Sequence, residues 1–139
     1  MIDQRCYCLI ANFRKHGPAG LFNMTNEDNE LLAHKWVRIL VDSCAKGVWA
    51  KSGGSTSADS LPVPPELIQR IRNWQASYDR DEDKWGLFRG DVAALSAEGL
   101  AIARAVKAAL PDWTVVYFDD AALEQANGEG QRSAFEYEV

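Results

Sequence analysis

The sequence predicts an α+β domain of two layers, an antiparallel helix pair packed on a small, mainly antiparallel sheet. Three observations carry that expectation. An apolar stripe at helical spacing follows Pro64-Pro65, an alanine-rich amphipathic segment runs up to Pro111, and stretches rich in β-branched residues flank the two. With 139 residues the chain can bury one core without disulfide or metal staples. It reads as a single domain over 1–139. Residues 1–35 form an N-terminal region, 36–119 the core, and 120–139 carry a C-terminal edge strand.

Ile2, Cys6, Leu9, Ile10 and Phe13 fall at helical spacing, Arg14-Lys15-His16 suit a last turn, and Gly17-Pro18 stop it. Cys6 to Ile10 also reads as a short strand; the helix is preferred. Thr25 and Asp28 are placed to cap a second short helix running to about Ala33. From Lys35 to Ser43, Val37, Ile39 and Val41 alternate with Trp36, Arg38 and Leu40, which predicts a strand. A helix through Leu32, Trp36, Ile39 and Leu40 is the rival. Gly47-Val48-Trp49 follows, then a Gly/Ser-rich loop from Ser52 to Ser60.

Pro64-Pro65 open the next helix, because proline fits the first helical positions. Leu67, Ile71, Trp74 and Tyr78 form its apolar stripe, with Arg70, Arg72 and Asn73 elsewhere. Asp79 to Lys84 breaks the pattern. A further helix is expected from about Ser96, placed as its cap, to Leu110, with Ile102, Val106, Ala109 and Leu110 on its buried side. Trp113 to Phe118 is apolar on both faces and predicts an inner strand covered on both sides. Phe135, Tyr137 and Val139 alternate with Glu136 and Glu138, as in a half-exposed strand at a sheet edge.

The charge of −5 is uneven: residues 1–78 carry a net +2 and residues 79–139 a net −7. An acidic half repels phosphate backbones, so nucleic acid is not an expected partner, whereas a basic protein is. No apolar run approaches the ~20 residues of a membrane span. Met1 to Ile10 lacks the apolar heart of a secretory signal, which points to the cytoplasm and free thiols at Cys6, Cys8 and Cys44. These cysteines lack the paired Cys-x-x-Cys spacing of a zinc site.

Asp79-x-Asp81-x-Asp83 imitates a calcium loop, but Lys84 stands where glycine turns the chain and Gly90 where a bidentate glutamate closes the site. Gly47 to Thr56 lacks the Gly-Lys pair of a phosphate loop. Gly53-Gly54-Ser55-Thr56-Ser57 lacks the second glycine of a nucleophile elbow, and both His16 and His34 precede its serines. No metal or cofactor is therefore expected. Candidate catalytic groups reduce to Asp42 and Asp119, each ending a predicted core strand, and to Cys44 paired with a histidine. If the two strands are neighbours, the two carboxylates share one place. Trp49 and Trp85 sit in predicted loops beside glycine; with Asp79, Asp81, Glu82 and Asp83 they make the candidate partner-binding set.

Val37 to Asp42, then Val48-Trp49, Leu61-Pro62, Pro65-Glu66-Leu67 to Trp74, Tyr78-Asp79, Glu98-Gly99 and Val115-Val116-Tyr117 together resemble a group of small uncharacterised bacterial proteins. The resemblance covers about residues 36–119. It implies a compact bacterial cytoplasmic domain and carries no catalytic residues with it. Three readings remain. The first is a non-enzymatic protein-binding domain, in its most concrete form an acidic partner that neutralises a basic protein, as bacterial immunity proteins do. The second is a small hydrolase or transferase built on Asp42, Asp119 or Cys44. The third is a homodimer paired through the C-terminal edge strand.

Overall fold

The structure, a computed structural model, describes residues 26–126 and 129–139. The helix expected between Ile2 and Phe13, with Cys6, Cys8 and His16, lies outside the described residues. The chain runs α1 (Asn26–His34), β1 (Trp36–Ile39), β2 (Val48–Trp49), β3 (Ser55–Thr56), a 3-10 turn (Ala58–Ser60) and α2 (Pro65–Asp81). It continues through α3 (Val92–Ala109), β4 (Thr114–Phe118), α4 (Asp120–Gln125), a second 3-10 turn (Arg132–Ala134) and β5 (Glu136–Glu138).

The five strands form one sheet in the order β3-β2-β1-β4-β5. Its centre is a parallel pair, Trp36 level with Thr114 and Ile39 with Tyr117, while the other three pairings are antiparallel. A parallel pair requires a crossover, and here it consists of β2, β3, α2 and α3. The strand over 36–39 displaces the rival helix, because β-branched Val37 and Ile39 fill one sheet face.

That face is the core. Val37, Ile39, Val115 and Tyr117 point into it, and α2 and α3 cover it with Leu67, Ile71, Trp74, Ile102, Ala103 and Val106, all buried. Each large apolar side chain so buried stabilises the fold by ~1.5–3 kcal/mol. Residues 70, 74 and 78 of α2 meet 98, 95 and 88 in turn, so the helices run antiparallel, closed on the surface by the Arg70–Glu98 ion pair at 2.6 Å.

Several sequence expectations are corrected. Only alternate residues of β4 are buried, so it is not covered on both faces. Thr114, Val116 and Phe118 lie half-buried on the far face, where Arg38 stacks 5.1 Å over Trp36 and bonds Glu136 at 2.5 Å. α3 begins four residues before Ser96, because Asp91 caps it by accepting the Ala94 N–H at 3.0 Å. Ala109 is exposed; Gly99 and Ala103 take its expected place on the buried side. The Gly/Ser-rich stretch contributes a two-residue strand and a 3-10 turn rather than open loop. Trp49 is also not in a loop: it lies half-buried in β2, its indole N–H donating to the Leu40 carbonyl at 2.8 Å.

Candidate functional site

α2 ends at Asp81, and the chain turns back before α3 in a tight loop built around one carboxylate. Asp83 accepts the backbone N–H groups of Trp85 and Leu87 at 2.8 and 3.0 Å and the Arg89 guanidinium at 2.8 Å. These bonds, the Leu87 N–H foremost, hold its carboxyl below the usual range. Gly86 makes the turn at φ +76°, a conformation other residues adopt with strain. Phe88 stacks on Tyr78 with ring centres 5.4 Å apart and fixes the loop to the core. What it presents outward is Trp85, 64% exposed, and Leu87, 50% exposed. Asp81 is paired with Arg80 at 3.0 Å, so two of the four acidic residues from 79 to 83 are engaged by arginines.

Beside this loop lies a second group of carboxylates, at the C-terminal ends of the parallel strands. Asp42 follows Ile39 by three residues and Asp120 follows Tyr117 by three, and Ile39 and Tyr117 are level. The parallel pairing thus brings Asp42, Asp119 and Asp120 to one edge, as the sequence reading required of neighbouring strands. Asp119 caps α4 by accepting the Ala122 N–H at 3.1 Å. Burial, with the charges of Asp42 and Asp119 added, pushes the Asp120 carboxyl up to about 7. Burial and the charges of Asp42 and Glu82 likewise push the Tyr78 hydroxyl up to about 12. Ser43 donates to Glu82. Ser96 accepts the Ala121 N–H at 2.9 Å through its hydroxyl and the Tyr117 hydroxyl at 2.6 Å through its carbonyl, tying α3 to this edge.

Two of the clefts among the described residues lie against the helices. One of about 370 Å³ lies between α2 and α3, floored by Trp74, Leu95 and Phe88. The other, about 310 Å³, lies between α2 and the segments at Ala45-Lys46 and Ser57-Ala58. Neither has Asp42, Asp119 or Asp120 on its wall. Cys44 is half-buried at φ +59°, and His34 sits at the end of α1, 3.7 Å from Glu30. Among the described residues no group of three or more His, Cys, Asp and Glu is placed to hold a metal ion, and no helix is long and apolar enough to cross a membrane.

Sequence reasoning offers Asp119-Asp120 as a carboxylate pair but singles out Asp42 and Asp119; the perturbation of Asp120 depends on which strands pair. It passes over Leu87, Gln75 and the Tyr78 hydroxyl. The adjacent aspartates after an apolar strand are the one local signal.

The span from just before β1 to the first residue of α4 matches a protein-family description. Residues 35–120 fit the family of Serratia CdiI immunity protein-like proteins, and the chain belongs to that family. The matched span holds both helices, the Trp85 loop and all three carboxylates at the strand ends. No curated protein matches the chain.

Proposed function

We propose that this chain is an immunity protein: a cytoplasmic, non-enzymatic domain that binds a basic protein toxin and blocks it. The observation that carries the reading is the loop that holds Trp85 and Leu87 out in water, on a chain whose family is immunity-protein-like. Exposed large apolar side chains on a fixed backbone are what a docking anchor needs, since little entropy is lost on binding. Around them Asp79, Glu82, Asp42 and Asp119 supply negative potential that steers a basic partner. In this reading Asp81 and Asp83 shape the loop, and Trp49 supports the sheet from β2.

The test is binding to the purified product of the gene immediately upstream. Trp85→Ala is expected to weaken that complex by ~2 kcal/mol or more, about thirtyfold, as for a central aromatic anchor. Its melting temperature should match the parent, because the indole is mostly in solvent. The association rate should fall steeply with added salt. Absence of a complex at both low and moderate salt would reject the reading.

A further inference from the structure

The hairpin that carries Trp85 rests on a buried serine. Its two arms meet at Glu82 and Phe88, which pair as an antiparallel bridge. On either side of that bridge the Asp83 N–H donates to the Leu87 carbonyl and the Arg89 N–H to the Asp81 carbonyl, both at 2.9 Å. Phe88 is fixed by its stack on Tyr78. Glu82 is fixed by accepting the Ser43 hydroxyl at Oε1. Ser43 is only 5% exposed and stands in the turn after β1. Its own N–H donates to Asp42 Oδ1 at 2.8 Å, and the Asp42 carbonyl accepts Gln75 Nε2 from α2 at 2.9 Å. The serine is therefore held in place by residues outside the hairpin. Burial raises the Tyr78 hydroxyl, with the charges of Asp42 and Glu82 adding to the rise, and a hydrogen bond with Ser43 pulls it back. One side chain thus touches both supports of the hairpin, Glu82 and Tyr78. A hydrogen bond to a charged acceptor is stronger than one between neutral groups, so this contact can set the direction in which the hairpin stands.

We propose that Ser43 is a positioning residue for partner binding: through Glu82 it fixes how the hairpin presents Trp85 and Leu87, while being too buried to touch a partner itself. The inference rests on the protein-binding reading above and adds what holds its anchor ready. A rigid anchor loses little conformational freedom on docking. An anchor set loose binds more weakly, in proportion to the time it spends in the competent pose.

The test is a double-mutant cycle with the purified product of the gene immediately upstream, at moderate salt. Ser43→Ala should weaken the complex about tenfold, equivalent to ~1.4 kcal/mol. In a Trp85→Ala background the same substitution should cost less than about twofold, because the main anchor is gone. A merely structural defect would cost the same in both backgrounds. Glu82→Ala should match Ser43→Ala, and Glu82→Gln, which keeps an oxygen for the serine hydroxyl, should recover most of the loss. In the isolated protein, Ser43→Ala should make the Asp83 and Arg89 amides exchange at least about tenfold faster and leave those of β1 and β4 unchanged. Should Ser43→Ala not fold, Glu82→Ala carries the same comparisons from a side chain partly in solvent. Equal losses in both backgrounds, Glu82→Gln as weak as Glu82→Ala, or unaltered exchange at Asp83 and Arg89 would overturn the proposal. The exchange measurement needs no partner, so a missing complex counts against the wider reading while exchange still decides what Ser43 holds.

Discussion

Gly99 decides how closely α3 can approach the sheet. A Cβ there would stand 2.4 Å from Trp74 Cζ2 and 3.0 Å from Tyr117 Cε2, and neither ring is free to retreat. The Trp74 indole is held by its bond to the Leu95 carbonyl at 2.9 Å, and the Tyr117 hydroxyl by the Ser96 carbonyl at 2.6 Å. Alanine is a better helix former than glycine by ~1 kcal/mol. Overpacking two buried rings costs ~1–3 kcal/mol or more, so the collision wins. Gly99→Ala should lower the urea midpoint despite its improved helix propensity. A variant as stable as the parent would show that the rings have room. The same pair of polar anchors explains how large aromatic side chains can be buried here without stranded polar groups.

At the scale of elements, the start of α3 separates two roles that one pattern conflates. Asp91→Ala should cost ~1 kcal/mol as a lost cap, and hydrogen exchange should accelerate in the first turn of α3. Ser96→Ala should leave that turn protected and loosen α4 instead, because its hydroxyl holds the Ala121 N–H. Equal exchange in both variants would refute the division. Ser96 followed by Glu98 imitates a helix start, and nothing local reveals that an aspartate five residues earlier takes the role first. The rods themselves were legible because the stripe of Leu67, Ile71 and Trp74 and the flanking prolines are local signals. So were the strands at 36–39 and 114–118, from their β-branched residues. Their parallel pairing was not, since tertiary packing sets the register of strands distant in sequence. The level placement of Asp42 and Asp120, and hence the acidity of that edge, was therefore hidden. The Trp85 loop was legible as polar and acidic, but the role of Asp83 as its staple depends on backbone directions that composition does not encode.

For the whole molecule, that edge sets a pH dependence. The Asp120 carboxyl titrates near 7 when folded, against ~3.9 unfolded, so the native state holds this proton more tightly. Its contribution to stability is present in full below about pH 4 and is lost as pH rises toward 7. Glu136 works in the opposite sense. Burial pushes it up, but hydrogen bonds from Arg132 and Arg38 outweigh that and hold it low, so its contribution is lost on acidification. Asp120→Asn should be more stable than the parent at pH 8, by up to ~4 kcal/mol, and the gap should close toward pH 4. Urea unfolding across that range measures it, and a constant gap would dismiss Asp120 as the cause. The central strand pairing has a further effect on how the molecule comes into being. β1 cannot find its parallel neighbour until translation has passed Phe118, so the centre of the sheet closes only after both covering helices have been made. On the immunity reading, a copy that stops short of β4 therefore confers no protection.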